Sequence, residues 1–305
     1  MKKIITKNKV EDTKKIKKNE IETIERIKSG YPALDKKMSL YPGLYVIGAI
    51  SSLGKTTFAN QMADQIAEQG KNVLYISLEQ SSLELTAKSI SRITRELNWK
   101  TARTAMEIRT EKITDATHDA IKIYDKYNSK ISVIDTTNDD DEMMTIDNIE
   151  QAIRGYIETT NTIPVVFVDY LQAIKVSGSQ TKKDAVDECM RRLKKIQKKY
   201  KMIMIVISSF NRQNYMSQVS FESFKETGDI EYTADCVWGM QLKAINLPLF
   251  DVPGRINEKR KVIMNELSGE SRSLELCCLK ARYGEAAYTV SFNYMPKYDY
   301  FESVE

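Results

Sequence analysis

The amino-acid sequence predicts an α/β fold in which a mostly parallel central sheet is flanked by helices and extended at one edge by antiparallel strands. Short apolar runs alternate with helix-length amphipathic segments from about residue 44 onward. The runs are apolar throughout, which is typical of strands buried on both faces of a parallel sheet. A Gly-Lys-Thr stretch between the first run and the first helix adds the signature of a phosphate loop.

Seven apolar runs are the candidate strands, at 44–48, 72–78, 131–135, 164–169, 202–208, 236–242 and 274–280. Amphipathic segments between most of them are the candidate helices, at 55–69, 81–97, 145–158 and 182–200. From residue 258 onward we expect antiparallel strands at one edge of the sheet. The segment 244–257 has two prolines and little periodicity, which predicts a surface loop.

Charge is distributed unevenly along the chain of 305 residues, whose hydrophobic content of 42% supports a substantial core. Residues 1–28 hold ten Lys and Arg against five Asp and Glu, whereas the whole chain has a formal net charge of +4. The remainder therefore sums to −1, the difference between +4 and +5. A body of this charge does not bind nucleic acid by electrostatics alone, so any contact with a polyanion depends on locally placed charge.

The N-terminal residues 1–29 are assigned to a charged tail or linker before the folded domain at 30–305. Ile21, Ile24 and Ile27 recur at helical spacing, so one alternative is a short amphipathic helix near 19–28. The other alternative is a disordered tail.

Cysteine and histidine usage excludes two classes of protein. The four cysteines have no C-x-x-C spacing and the chain has a single histidine, so neither a disulfide framework nor a zinc site is expected. Buried thiols in a reducing compartment fit this composition. No apolar run approaches the length of a membrane span, and the charged N-terminus lacks the apolar core of a secretory signal. We therefore expect a cytoplasmic protein without a membrane partner.

The stretch GAISSLGKTTFA, residues 48–59, predicts a nucleotide site. An apolar strand precedes it and a helix beginning near Lys55 follows, as a phosphate cradle requires. Lys55 would neutralise the β- and γ-phosphates of ATP, and the Thr56 hydroxyl would complete the shell of Mg²⁺. The general pattern has glycine where this chain has Ala49, and alanine is tolerated there if its φ is negative. The predicted cofactor-binding residues are Ala49, Ser51, Ser52, Leu53, Gly54, Lys55, Thr56 and Thr57.

Two acidic residues complete the predicted chemistry. Asp169 ends the apolar run VVFVD, where a carboxylate that holds magnesium through its water shell is expected. Glu79 ends another run, in YISLEQS, and could polarise the water that attacks the γ-phosphate. Acidic residues often end strands by capping or facing solvent. In this order after a phosphate loop, however, the pair favours a hydrolase over a passive nucleotide binder.

The motifs GAISSLGKTTFA, YISLEQS, VDYLQ, SSFNR, FKETGDIEYTAD and LKARYG together resemble the ATPase domain of the DnaB-type replicative helicases. The resemblance runs from about Gly30 to about Phe301. In that family alanine is usual at the position of Ala49. The resemblance implies a RecA-like P-loop ATPase fold, a homo-oligomeric ring of six subunits, and single-stranded DNA in its centre.

In such a ring the nucleotide lies between neighbouring subunits. Lys55, Thr56, Glu79 and Asp169 come from one subunit. The resemblance implies that Lys280 and Arg282, in LKARYG, are the basic pair that the adjacent subunit directs to the γ-phosphate. Without the resemblance, both would be read as an ordinary solvated strand end.

The DNA contact that the resemblance implies falls on the stretch FKETGDIE. The family has Arg-Glu-Ser-Gly where this chain has Lys-Glu-Thr-Gly, and such a loop holds a phosphate without reading bases. Asp235, in the TAD that ends the motif FKETGDIEYTAD, is expected to be structural, and Arg212 adds to the interface or to the phosphate path. The predicted DNA-binding residues are Lys225, Glu226, Thr227, Gly228 and Arg212.

The sequence departs from the family pattern at three places. Ser209 stands where the family has a glutamine that senses the γ-phosphate, which puts the coupling of hydrolysis to movement in doubt. Lys225 replaces an arginine and loses its bidentate fork. The family's helical N-terminal domain, which docks primase, has no counterpart, so we expect a short form of the phage or plasmid type. A helicase loader or primase remains an implied partner.

The sequence therefore predicts an ATP- and Mg²⁺-dependent DNA helicase motor that acts in replication. One alternative is a RecA-like ATPase that binds DNA or protein as a switch without unwinding. A second alternative is a ring component that binds nucleotide without hydrolysing it, although Glu79 argues against this.

Overall fold

One sheet organises the molecule. The computed structural model describes residues 26–135, 144–176, 179, 181–211, 215–224 and 229–304. The strands of these residues are β1 (Gly43–Ala49), β2 (Val73–Ser77), β3 (Ile131–Asp135), β4 (Val165–Asp169), β5 (Ile203–Ser209), β6 (Cys236–Leu242), β7 (Arg272–Ala281), β8 (Thr289–Met295) and β9 (Tyr300–Val304). They are hydrogen-bonded in the order β3-β2-β4-β5-β1-β6-β7-β8-β9.

The sheet has a parallel part and an antiparallel part. The ladder from β3 through β2, β4, β5 and β1 to β6 is parallel. The ladder from β6 to β9 is antiparallel. All the residues of β1, β2, β4 and β6 are buried, because helices cover both faces of the parallel part. The predicted fold class is confirmed, including the antiparallel strands at one edge. The carboxyl ends of the parallel strands share one edge, called here the carboxyl edge, and their amino ends share the amino edge.

Helices fill the connections between the strands. In the described part of the chain they are α1 (Pro32–Asp35), α2 (Lys55–Glu68), α3 (Ser82–Leu97), α4 (Ala105–Thr110), α5 (Asp115–Tyr124), α6 (Ile146–Thr160), α7 (Lys182–Tyr200), α8 (Asp229–Thr233), α9 (Pro248–Asp251) and α10 (Ile256–Ser268). Each of the four predicted helices is present with its ends shifted by at most two residues. None of the helices in the described residues is long and apolar enough to cross a membrane.

The segment between β6 and β7 differs from the prediction. The expected surface loop at 244–257 contains most of a 3₁₀ helix, Lys243–Asn246, and all of α9. The helix α10 occupies 256–268, so the antiparallel strands begin only at Arg272. The sequence does not predict this helix, because its apolar residues are poorly segregated onto one face and it buries little beyond Ile263 and the stem of Lys259. Lys259 Nζ donates to the carbonyls of Phe250 and Val252 at 3.1 and 2.7 Å, which holds α9 against α10.

The two alternatives for the N-terminal tail stay predictions. Residues 1–25 lie outside the described part. Ile27 forms an antiparallel bridge with Leu40, so the predicted helix near 19–28 does not reach its predicted end. Ile27 is buried because the bridge brings it onto the folded core.

An aromatic cluster packs helix α2 against the antiparallel strands. The ring of Phe58 stacks on Tyr31 with 4.5 Å between centroids, and meets Phe292 and Phe301 edge-on at 5.3 and 5.2 Å. The Tyr31 hydroxyl donates to the Phe58 carbonyl at 2.9 Å. Buried aromatic pairs of this kind stabilise beyond the area that they remove from water. The cluster therefore fixes the start of α2, where the phosphate loop ends.

Candidate nucleotide site

The phosphate loop joins the carboxyl end of β1 to the amino end of α2. Ser52 and Gly54 have φ of 64° and 87°, which turns the backbone sharply before the helix begins at Lys55. The backbone N–H groups at the start of a helix are free to bind an anion, and the helix dipole favours negative charge there. The strand, loop and helix that the sequence predicted are thus in place.

The structure explains why alanine stands at position 49 and glycine at 48. Ala49 is the last residue of β1, has negative φ and is fully buried between Ser209 and Met240 of the neighbouring strands. A Cβ on Gly48 would lie 2.3 Å from ring atoms of both Phe210 and Phe224. The glycine is therefore required for packing, one residue before the place where the general motif has it.

Lys55 lies inside the loop rather than in solvent. Its Nζ donates to the carbonyls of Ala49 and Ile50 at 3.2 and 3.0 Å. Burial lowers the pKa of Lys55, whereas the nearby carboxylates of Asp169 and Glu79 raise it. The ammonium group is thus held by the loop backbone, and Lys55 also lines the cavity described below.

Asp169 and Thr56, the two residues predicted to hold magnesium, meet at the carboxyl edge. Asp169 ends β4 and is 2% exposed. Its carboxylate accepts hydrogen bonds from the Thr56 hydroxyl and from the Tyr75 hydroxyl, the latter at 3.0 Å. Burial raises the pKa of Asp169, and these two hydrogen bonds lower it. A buried carboxylate therefore lies beside the hydroxyl of Thr56.

Glu79 lies near Lys55 and Asp169 on the solvent-exposed side of the site. It follows β2 by two residues, and the neighbouring helix α3 begins in a capping box between Ser81 and Glu84. Glu79 is exposed, and its charge raises the pKa of both Lys55 and Asp169. An exposed carboxylate this close to the loop is placed to accept a proton from a water molecule.

These groups enclose a cavity of about 410 Å³. A volume of this size lies within the range of small-molecule and cofactor sites. The structure brings together Glu79, Asp169 and all the predicted cofactor-binding residues except Ala49 and Leu53, which are fully buried. The cavity is lined by Ser51, Ser52, Gly54, Lys55, Thr56, Thr57, Glu79, Gln80, Lys88, Asp169, Tyr170, Ser209 and Tyr294.

One wall of the cavity contains residues that the sequence does not predict. Lys88 Nζ lies 2.5 Å from Asp299 Oδ1 and 3.3 Å from the Thr57 hydroxyl, which itself donates to Asp299 at 3.0 Å. Arg272 Nη1 donates to the carbonyl of Ser52 at 2.6 Å and so ties the loop to β7. No local signal identifies these residues, because Asp299 and Thr57 are 242 positions apart.

Ser209 lies at the end of β5, between the nucleotide cavity and a larger groove of about 800 Å³. Its N–H donates to the Gln172 side-chain oxygen at 3.2 Å, and Gln172 Nε2 donates to the Ser208 hydroxyl at 2.9 Å. An amide side chain is therefore present at this strand end, supplied by the turn after Asp169.

Lys280 and Arg282 lie at the opposite end of the sheet from the phosphate loop. Val237 pairs with Lys280 on one side and with Val46 on the other. Val46 precedes Ile50 by four residues, about 13 Å along the strand. Arg282 lies two residues farther along the chain, and its N–H donates to the carbonyl of Asp235 at 2.7 Å. The structure does not bring the two cations into the nucleotide cavity of their own chain.

The predicted DNA-binding residues Lys225, Glu226, Thr227, Gly228 and Arg212 all lie outside the described residues. The described residues next to them meet beside the phosphate loop. Phe210 and Phe224 form an antiparallel bridge, and their rings lie edge to face with 5.0 Å between centroids.

Comparison with known proteins agrees with this geometry. A family model described as the DnaB-like helicase C-terminal domain matches residues 26–303. The replicative DNA helicase DnaB of Buchnera aphidicola (subspecies Baizongia pistaciae) is 31% identical over 223 residues, which are 70% of this chain and 46% of the relative. The DnaB helicase of Pasteurella multocida is 28% identical over 221 residues, again 70% and 46%. The chain thus spans about half the length of the curated relatives that it matches.

Solved structures share the fold at low sequence identity. A solved ATPase domain superposes with a TM-score of 0.76 at 19% identity, covering 98% of this chain and 100% of that one. A DnaB-like replicative helicase, described with its interactions with primase, gives 0.74 at 19% identity over 99% of this chain and 68% of that one. A KaiC-like protein of Pyrococcus horikoshii gives 0.56 at 16% identity, covering 92% and 100%. The sheet, the phosphate loop and the family match together show that this chain belongs to the family of DnaB-like helicase C-terminal domains.

Proposed function

We propose that the chain is the ATP-hydrolysing motor of a replicative DNA helicase and that it moves along single-stranded DNA as a ring. The observation that carries this proposal is the cavity in which Lys55, Thr56, Asp169 and Glu79 meet at the carboxyl edge. A passive nucleotide binder has no use for an exposed carboxylate such as Glu79 at this position.

The residues of the cavity fit ATP and Mg²⁺. A buried ammonium group and a helix start suit phosphates, and a carboxylate with a neighbouring hydroxyl suits a hard divalent cation. Lys55 would hold the phosphates, while Thr56 and Asp169 would hold the metal directly and through its water shell. When bound, Mg²⁺ would neutralise charge on the phosphates, and ATP would supply the phosphoryl group that is transferred to water.

The chain's own groups would prepare this transfer. Glu79 would orient a water molecule and accept its proton, since the side chain is exposed on the cavity side of the loop. The Tyr75 hydroxyl would keep the Asp169 carboxylate in place through its hydrogen bond. Arg272 would keep the loop in this conformation through its hydrogen bond to the Ser52 carbonyl.

A second copy of the chain would complete the site. Lys280 and Arg282 lie at the amino edge, far from the cavity of their own chain, and both are accessible in part. We therefore propose that they approach the neighbour's γ-phosphate in a hexameric ring. An arginine supplied across an interface in this way is worth roughly 10³–10⁵ in turnover.

DNA would bind beside the phosphate loop. Phe210 and Phe224, which lie close in sequence to Arg212 and Lys225, meet against Gly48. We propose that Arg212 and the stretch 225–228 contact the sugar-phosphate backbone there. Contacts of that kind fix position without reading sequence, which suits a motor.

Gln172 is a candidate for the coupling that Ser209 is too short to provide. Its amide forms hydrogen bonds with the Ser208 side chain and the Ser209 backbone. Ser209 lies at the rim shared by the nucleotide cavity and the neighbouring groove. We propose that the amide responds to the phosphates in place of the family's glutamine.

The cellular setting follows from the same proposal. We place the motor in the cytoplasm, since all four cysteines are free thiols and three of them are buried. Primase or a helicase loader would be its partner, because one structure with the same fold is described with its primase interactions.

A RecA-like switch that hydrolyses ATP without unwinding is the second candidate, and Ser209 in place of glutamine favours it. The deciding experiment measures phosphate release with and without single-stranded DNA, together with strand separation on a forked duplex. The motor predicts stimulated hydrolysis and separation, both lost in Lys55→Ala. Stimulated hydrolysis without separation would support the switch, and no phosphate release would support a passive ring component.

A further inference from the structure

Asp235 forms the centre of a charged cluster at the amino edge of the sheet. Its carboxylate is 1% exposed and lies directly before β6. Oδ1 accepts from Arg282 Nη1 at 2.8 Å. Oδ2 accepts from the Leu44 N–H at 2.8 Å and from Lys194 Nζ. The carboxylate thus ties together β1, helix α7 and the residue that follows β7.

The main chain of Asp235 adds to the same connection. Its N–H donates to the Leu44 carbonyl at 2.8 Å, and its carbonyl accepts from the Arg282 N–H at 2.7 Å. Arg282 is therefore held through both its backbone and its side chain by one residue. Leu44 lies in the buried strand that leads into the phosphate loop, so this connection joins Arg282 to that strand.

Three basic side chains lie around this buried carboxylate. Lys194 is 12% exposed in its side chain, whereas the side chain of Arg282 is 47% exposed. Lys280 lies beside them, and the positive charge of Arg282 acts on it unfavourably. Without a negative charge these groups would repel one another and move apart into solvent.

We propose that Asp235 is a positioning residue that aims Arg282 at the nucleotide bound by the neighbouring subunit. This inference rests on the proposed function, in which Arg282 completes the site of the next chain. A guanidinium has five N–H donors in a fixed fork. The bond to Asp235 Oδ1 holds one nitrogen of the fork in place, while about half of the side chain stays open to a partner.

The substitution Asp235→Asn separates this role from a merely structural one. An asparagine oxygen can still accept from the Leu44 N–H, and the main-chain bonds do not depend on the side chain. What is lost is the negative charge that holds the guanidinium. A positioning role therefore predicts a defect in turnover that is far larger than the defect in folding.

The test is a double-mutant cycle on ATP turnover with Asp235→Asn, Arg282→Ala and the two combined. We expect Asp235→Asn to lower kcat about ten- to a hundredfold. Its KM for ATP should stay near that of the unaltered protein, because its own phosphate loop is intact. In the Arg282→Ala background the second substitution should cause no further loss, because nothing remains to be positioned.

A second variant covers the case in which Asp235→Asn does not fold. Removing one member of a buried pair leaves the other uncompensated, whereas removing both is often nearly neutral. The combined variant Asp235→Asn with Lys194→Met should therefore fold and show the same loss of kcat. Lys194→Met alone leaves Arg282 paired with Asp235 and should lose far less.

Three results would overturn the positioning role alone. The first is a full additional loss on adding Asp235→Asn to Arg282→Ala. The second is Lys194→Met alone losing as much kcat as the combined variant. The third is Asp235→Asn turning over normally while Arg282→Ala is slow, which leaves the shared site standing. If Arg282→Ala itself keeps normal turnover, the shared site and the positioning role are both wrong.

Discussion

Removing the buried guanidinium of Arg92 should destabilise the protein more than removing any exposed cation. Arg92 lies in α3 with its side chain 3% exposed. It pairs with Asp64 of α2 at 3.0 Å and with Glu96 at 2.8 Å. The pair with Asp64 joins the helix that begins at Lys55 to the helix that follows Glu79.

The magnitude follows from the burial of Asp64, which is 1% exposed. In Arg92→Met this carboxylate would remain buried without its cation, whereas Glu96 can turn to solvent. Breaking a buried pair from one side costs about 3–5 kcal/mol. Arg109→Met is the matched control, because Arg109 pairs with Glu84 at 3.1 Å with both side chains about one-third exposed. Exposed pairs contribute about 0–1 kcal/mol.

The assay is equilibrium unfolding in urea, followed by far-ultraviolet circular dichroism. The combined variant Asp64→Leu with Arg92→Met should recover part of the loss, since it leaves no uncompensated charge. A loss for Arg92→Met no larger than that for Arg109→Met would refute the reasoning.

Three further outcomes are expected. Burial raises the pKa of Asp64, and Arg92 is the main group that lowers it. In Arg92→Met, the Asp64 carboxylate therefore binds a proton more tightly in the folded state than in the unfolded state. The stability difference from the unaltered protein should therefore shrink as pH falls from about 7 to about 5, and a constant difference would contradict this. Gly48→Ala should lower the free energy of unfolding by about 1–3 kcal/mol, since its Cβ meets two aromatic rings at 2.3 Å. The control Gly155→Ala, with open space in α6, should be neutral or stabilising in the same urea titration. Glu79→Gln should lower kcat roughly 10²–10⁴-fold with little change in affinity for a fluorescent ATP analogue, and loss of binding would contradict its role.

The parallel strands and the residues at their ends could be predicted from sequence, because strands buried on both faces give continuous apolar runs. Asp169 and Glu79 were identifiable since each closes such a run, and strand ends meet at one edge. The helix α10 was not identifiable, because its buried face is little more than Ile263 and a lysine stem.

Long-range polar contacts left no pattern in the sequence. Lys88 lines the cavity and pairs with Asp299, which lies between β8 and β9, where these strands pack against α2. Likewise Asp64 and Arg92 look like solvated helix positions until the two helices are placed side by side. Periodicity reports which face of an element is apolar, and it carries no information on which polar groups meet across elements.

The central proposal is a nucleotide site shared between two chains, and mixing two inactive variants tests it most directly. Lys55→Ala removes the phosphate contact of one half-site, and Arg282→Ala removes the cation of the other. In an equal mixture, some interfaces pair an intact loop with an intact arginine, so ATP turnover should exceed that of either variant alone. Turnover that stays at the level of the separate variants, although mixed assemblies form, would contradict a shared site.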